Sequence, residues 1–217
     1  LSATNNCHPN YALYFSEKGT LTEKSFNELL KSIPKEKKAV YNKADAEEFY
    51  KKYMEVYIDD KDTVKQLSLD VSGKKILLLA PGASLNTNKD SISKYIEQNR
   101  TLVFAVNFYD KVFKTDYIFS SNMRRYAKLE SVPGVKKIIT SNIKEAKQYD
   151  YTVNFSSYSC KEPDIIDNSG LMALKLLMTL GIKDVAVAGM DGYGMNNGRN
   201  YFYCDREYSF SKVASKR

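Results

Sequence analysis

The spacing of hydrophobic positions along this chain changes near residue 75. Before it, apolar residues recur at helical intervals. In TEKSFNELLKSI, residues 22–33, Phe26, Leu29, Leu30 and Ile33 fall at i, i+3, i+4 and i+7, which is one face of an amphipathic helix. Thr22 is suited to cap its start, and Pro34 marks its end. KADAEEFYKKYMEVY, residues 43–57, sets Ala46, Phe49, Tyr50, Tyr53, Met54 and Tyr57 along a second stripe, with Asp45 as its N-cap. The polar, broken run IDDKDTVKQLSLDVSGK, residues 58–74, reads as a linker.

From Lys75 onward, short apolar runs alternate with helical patterns. KILLLA (75–80), TLVFAVN (101–107), TDYIFSS (115–121), VKKIITS (135–141), YTVNF (151–155) and KDVAVAG (183–189) read as strands. KDSISKYIEQ (89–98) and NSGLMALKLLMTLG (168–181) read as helices. Strands made almost wholly of Val, Ile, Leu and Ala need both faces covered, as in a parallel sheet between helical layers. The pattern therefore predicts an α/β chain. A Rossmann-like, doubly wound, mostly parallel sheet spans 75–217, an α-helical extension spans 1–60, and a linker over 61–74 joins them.

At 217 residues and 43% hydrophobic content the chain can bury one full core. Its longest apolar run, 76–80, is far short of the ~20 residues a bilayer span needs, so no integral membrane segment is expected. The opening LSATNNCHPNY has neither the basic start nor the apolar centre of a signal peptide and begins on Leu, so the sequence reads as part of a longer polypeptide. Cys7, Cys160 and Cys204 are far apart with no CxxC pair, which argues against a disulfide framework and for a cytoplasmic setting. The net charge of +7 comes from lysines scattered among acids, a solvated surface with a general attraction for anions. No nucleic-acid motif accompanies it, so no nucleic-acid partner is expected. The only histidine, His8, has no HxH or HxxxH partner, so no metal site is assigned to this chain and no Ser-His-Asp triad to its sheet. Neither GK[ST] nor GxGxxG occurs, which argues against ordinary NTPases and NAD enzymes.

In a doubly wound sheet, ligands bind beyond the carboxyl ends of the strands where the strand order reverses. The strand ends here carry Gly82 and Ser84, then Asn107, then Ser120, Ser121 and Asn122, then Thr140, Ser141 and Asn142. For each alone, capping the next helix is the simpler role. Asn107 is different: FAVNFYD places its amide among aromatic residues, a natural contact for a nucleobase or ribose. Asn168, Ser169 and Gly170 open an apolar helix whose free N–H groups and dipole suit an anion, or else form an ordinary N-cap. Asp191 could bind a ribose hydroxyl, a sugar or a metal, or cap a turn. Tyr193, Tyr201 and Tyr203 could donate to phosphate oxygens, or pack as the apolar face of a lid.

The ordered set APGASL, VNFY, NSG before an apolar helix, and GMDGY with following tyrosines resembles the bacterial sialyltransferase family that uses CMP-linked sugars. It is also similar to the related pterin diphosphokinase and flagellin-modifying transferase group. The likeness spans roughly residues 75–203. It implies that Gly82 and Ser84 lie against the nucleotide and that Asn107 contacts the nucleotide or donor sugar. Ser169 and Gly170 would then face the cytidine and phosphate region, and Tyr193 and Tyr201 the departing phosphate. That family places a histidine general base after the tyrosines; here none follows Tyr203. NNCHPNYALYFSEKGTLT, residues 5–22, resembles instead the stretch that closes the TIM barrel of HMG-CoA lyase-like aldolases of the 4-hydroxy-2-oxovalerate aldolase type. A divalent metal is implied only in that barrel.

The expectation from both resemblances is a nucleotide- or CMP-sugar-binding C-terminal domain of a larger aldolase-like lyase in surface-polysaccharide synthesis. It requires no cofactor of its own, has its own N-terminal barrel as a partner, and leaves both sugar transfer and homo-oligomer formation open. Two alternatives stand beside it. One is a non-catalytic regulatory or oligomerisation domain. The other is a pterin-type diphosphokinase using Mg²⁺, with Asp116, Asp191 and Asp205 as its only ligand candidates near strand ends.

Overall fold

A computed structural model describes residues 56–159 and 168–191. The helix predicted at 22–33, all but the last two residues of that predicted at 43–57, and His8, Tyr193, Tyr201, Tyr203 and Asp205 lie outside the described residues; Val56 and Tyr57 are described and are not helical, and Tyr57 is exposed. The described chain runs α1 Lys61–Val71, β1 Ile76–Leu79, α2 Ser84–Thr87, α3 Lys89–Asn99 and β2 Leu102–Val106, then a 3-10 turn at Lys111–Phe113. It continues through β3 Tyr117–Ser120, α4 Met123–Tyr126, β4 Lys136–Thr140, β5 Tyr151–Val153, α5 Phe155–Tyr158, α6 Ser169–Thr179 and β6 Val185–Ala188.

The six strands form one sheet in the order β5-β4-β3-β2-β1-β6, and every pairing is parallel. Alternate residues of each strand feed two separate cores, as a period of two requires. On one face Ile76, Leu78, Phe104, Val106, Phe119 and Ile138 meet Leu67 and Val71 of α1 and Met172, Leu176 and Leu177 of α6. On the other, Leu77, Leu79, Val103 and Ala105 meet Leu85 of α2, Ile92 of α3 and Phe113. Helices cover both faces, so the Rossmann-like α/β reading holds. Among the described residues no helix is long and apolar enough to cross a membrane.

One segment departs from expectation. The supposed linker at 61–74 is mostly helix α1, with Leu67 and Val71 fully buried. Val64, Leu67 and Val71 stand at i, i+3 and i+7 and supply a narrow stripe for the sheet. Burying Leu67 alone is worth roughly 2 kcal/mol. The polar residues between them are the solvent face of a helix.

The amino end of the sheet is fastened by charge. Lys136 Nζ donates to Asp70 Oδ2 at 2.7 Å, and the Tyr151 hydroxyl donates to the same oxygen at 2.6 Å. The ammonium also lies 5.6 and 5.7 Å from the ring centres of Tyr117 and Tyr151, and Tyr117 stacks on Phe104. The bond from Lys136, and then that from Tyr151, hold the Asp70 carboxyl below the usual carboxylate range. Thus α1 is tied to the starts of β4 and β5. Asp116 belongs to this end too. Its Oδ2 accepts from the Val103 N–H at 2.8 Å, clamping β2 to β3, and burial pushes its carboxyl up. Since Asp116 precedes β3 and Asp191 follows β6 in an all-parallel sheet, the two lie at opposite ends. The grouping of Asp116 with Asp191 as ligands at the strand ends is therefore corrected.

Candidate functional site

The strand order reverses beside β1: the chain steps from β1 through β5 in one direction, then returns to lay β6 on the other side of β1. In such sheets the crevice at the reversal lies beyond the carboxyl ends, here between the loop after β1 and the turn after β6. These two segments touch directly. The Ala80 N–H donates to the Ala188 carbonyl at 2.9 Å and the Gly82 N–H to the Gly189 carbonyl at 2.8 Å, carrying the ladder past the strands. Asp191 then closes the loop: its Oδ2 accepts from the Ser84 N–H at 2.7 Å and its Oδ1 from the Ser84 hydroxyl at 2.5 Å.

This contact explains both glycines. A Cβ on Gly82 would lie 2.3 Å from the Gly189 carbonyl oxygen and 2.5 Å from Asp191 Oδ2. Gly189 has φ +71°, and a Cβ there would lie 2.0 Å from the Ala80 carbonyl oxygen. Gly82 thus admits another stretch of backbone, and Asp191 takes the turn-capping role among those open to it.

Across the crest, Asn107 ends β2 with φ +59°, a left-handed conformation that Asn tolerates better than most residues. Its own N–H still donates to the Phe119 carbonyl at 2.9 Å, so the turn does not break the ladder. The side chain is fixed from both sides. Nδ2 donates to Ser169 Oγ at 2.8 Å, and Oδ1 accepts from the Ser120 hydroxyl at 2.6 Å. The Ser121 and Ser169 hydroxyls share a further hydrogen bond at 2.5 Å. One amide and three serines therefore join the ends of β2 and β3 to the start of α6.

The α6 start is less open to an anion than expected. Asn168 is its N-cap, and its Oδ1 accepts from the Gly170 N–H at 3.0 Å and the Leu171 N–H at 3.2 Å. Two of the N–H groups counted as free are satisfied by the chain itself. Asn122 likewise caps α4 through the Arg125 N–H, as its simpler role required. Asn142 accepts from the Thr140 hydroxyl and donates to the Ser121 carbonyl, while Ser141 Oγ accepts from the Phe155 N–H.

Met190 joins the two halves. A Cβ on Gly170 would lie 2.9 Å from Met190 Cε, so glycine at the second position of α6 leaves room for this side chain. A continuous line of contacts then runs from Ser84 through Asp191, Met190, Gly170 and Ser169 to Asn107. All four motif segments meet on it. Met190 and Gly189 were missed as individual residues, although both stand within the GMDGY run that the sequence singles out. The crest offers hydroxyls, an amide and one carboxylate, suited to hydrogen-bonding a polar ligand. Among the described residues no group of three or more His, Cys, Asp or Glu side chains is placed to hold a metal ion. No family model matches this chain, and no curated protein or solved structure matches it either.

Proposed function

We propose that this domain binds a nucleotide or nucleotide sugar, CMP-linked by its resemblance, along the carboxyl crest of its sheet. It would serve a larger aldolase-like polypeptide in surface-polysaccharide synthesis. The observation that supports the reading is the convergence of parts of four short motifs, spread over residues 80–191, on one crevice where the strand order reverses. In this reading Asn107 and Ser169 face the nucleoside, Gly82 and Ser84 form the opposite wall, and Tyr193, Tyr201 and Tyr203 reach the phosphate. The proposal is one of binding; the histidine general base of the family it resembles has no counterpart after Tyr203 in this sequence.

Calorimetric titration with CMP, CDP, UDP and GDP tests it. Binding that favours the cytidine nucleotides and weakens by about tenfold in Asn107→Ala or Ser169→Ala, the cost of one hydrogen bond, is the expected result. No heat with any nucleotide, at protein concentrations that reveal millimolar affinity, would sink the reading. A second reading is favoured by one specific feature: the crest's polar side chains largely satisfy one another, as in the Ser84–Asp191 and Asn107–Ser169 pairs. On that reading the domain is a non-catalytic module that positions or oligomerises the aldolase barrel.

A further inference from the structure

The end of the sheet opposite the crest carries a row of exposed cations. All six strands begin there, and five of the turns leading into them hold a residue with positive φ: Gly73 before β1, Arg100 before β2, Lys114 before β3, Gly134 before β4 and Gly181 before β6. Arg100 and Lys114 stand where glycine is the usual choice. Lys74, Lys75 and Lys183 follow their glycines within two residues. These five cations are all exposed, and among the described residues none of them is in an ion pair. Continuing the register of β1 with its neighbours two residues outward sets Lys183, Lys74 and Arg100 level with one another, and Lys114 lies on the next strand. At about 4.8 Å between strands the row spans roughly 14 Å. Helix dipoles explain little of it. The last turns of α1, α3 and α6 contain no basic residue, so only Arg100, the C-cap of α3, is placed to pair with one. The acids at this end are mostly engaged: Asp70 accepts from Lys136, and Asp116 and Asp150 accept from the Val103 and Lys137 N–H groups, leaving Asp184 exposed beside Lys183. Like charges in a row repel one another, and an anionic partner relieves that repulsion.

The same rim carries the two most exposed large apolar side chains among the described residues, Leu69 at 72% and Met178 at 70%. Both lie in the last turns of their helices, α1 and α6, and these helix ends meet where the Ser68 hydroxyl donates to the Leu180 carbonyl at 3.0 Å. A nucleic acid or other soluble polyanion would use the cations but not the protruding Leu and Met. A bilayer surface uses both, since its headgroups attract the cations and its acyl boundary accepts the apolar side chains. We propose that the amino end of the sheet docks on an anionic membrane surface, with Lys74, Lys75, Arg100, Lys114 and Lys183 against the lipid headgroups and Leu69 and Met178 entering the interface. The crest then faces the aqueous phase, whether or not a nucleotide binds it.

Sedimentation of the full chain with lipid vesicles tests the proposal. At about 0.1 M salt the chain should bind vesicles of phosphatidylcholine containing about one-third phosphatidylserine, but not vesicles of phosphatidylcholine alone, and about 0.5 M salt should release it. Replacing Lys74, Lys75 and Lys183 together by Gln should weaken binding about a hundredfold, at about fivefold for each cation. Removing three exposed lysines from elsewhere, with Lys65→Gln, Lys94→Gln and Lys111→Gln, should change it by less than about threefold. Leu69→Ser with Met178→Ser should weaken binding about tenfold while the salt dependence remains. All these side chains are exposed, so circular dichroism should report an unchanged fold in each variant. Absence of binding to the anionic vesicles would overturn the proposal, and so would an equal loss in the two lysine triples, which would reduce the effect to net charge. Undiminished binding by the Leu69→Ser, Met178→Ser variant would overturn it as well, because the row would then suit a nucleic acid or another soluble polyanion equally.

Discussion

Replacing Gly82 by alanine should damage this protein out of proportion to one methyl group. The new Cβ would meet the Gly189 carbonyl oxygen at 2.3 Å, Asp191 Oδ2 at 2.5 Å and Asp191 Cγ at 2.6 Å, so either β6 or the Asp191 side chain must move. Overpacking of this kind costs about 1–3 kcal/mol. Displacing Asp191 from the Ser84 N–H and hydroxyl adds about 1 kcal/mol, taking the low end because the pair is exposed. The total is about 3 kcal/mol. Gly73→Ala is the control: it has φ +67° with nothing within 4 Å of the built Cβ, so it pays only left-handed strain of about 1 kcal/mol. At about 2–4 °C per kcal/mol for a chain of this size, Gly82→Ala should lower Tm by roughly 6–12 °C and Gly73→Ala by roughly 2–4 °C. Thermal unfolding followed by circular dichroism measures both Tm shifts, and urea unfolding with m unchanged measures the free energies. In Asp191→Ala the Cγ and Oδ2 contacts vanish while the Gly189 oxygen remains. The double variant should therefore fall short of the summed single costs by about 1 kcal/mol. If Gly82→Ala is no worse than Gly73→Ala, or the cycle is additive, the proposed contact between the two strand ends is wrong.

Two pH dependences follow from groups elsewhere in the fold. Asp70 has a lowered carboxyl, so its contribution is present above the ordinary value of about 4 and is lost as pH falls through the folded value. Asp70→Asn should cost about 1 kcal/mol at neutral pH and flatten that part of the acid limb; an unchanged acid limb in urea titrations would refute this. Tyr126 is fully buried, its hydroxyl donates to the Gln148 carbonyl, and burial, then the charge of Glu130, push it up to about 12. Its contribution is full below about 10 and is lost as pH rises toward about 12. Tyr126→Phe should cost about 1 kcal/mol at neutral pH and remove one late-ionising phenol from the alkaline absorbance titration, and an identical titration curve would count against the burial.

Most of the sheet was legible because its signal is local. KILLLA, TLVFAVN and VKKIITS are runs that only a doubly covered strand accommodates, and they became Ile76–Leu79, Leu102–Val106 and Lys136–Thr140. Helix α1 was obscured because its buried stripe is three residues wide within a polar segment, so composition outweighed period. The one-turn helices α2, α4 and α5 have no period to read; each is defined by a cap or a turn. At the crest, residue types were legible but their partners were not. Nothing local in GMDGY shows that Asp191 turns to Ser84, because that pairing exists only once β6 lies beside β1. Asn168 offered the choice of cap or anion site, and its short side chain settled two of the N–H groups internally.

The pairing of β1 with β6 has a consequence for how this protein is made. Ser84 and Asp191 are 107 residues apart, so the crest is assembled by one of the most distant contacts in the described chain. On the ribosome, at about 5–20 residues per second, one edge of β1 has no partner for roughly 5–20 s after its synthesis. During that interval the apolar ILLL strand is a hazard for association with other chains, and the crevice does not yet exist. Its formation therefore reports that the sheet is complete: a nascent chain released before Val185 can build the α1 to α4 half of the fold but has no β6 with which to finish the site.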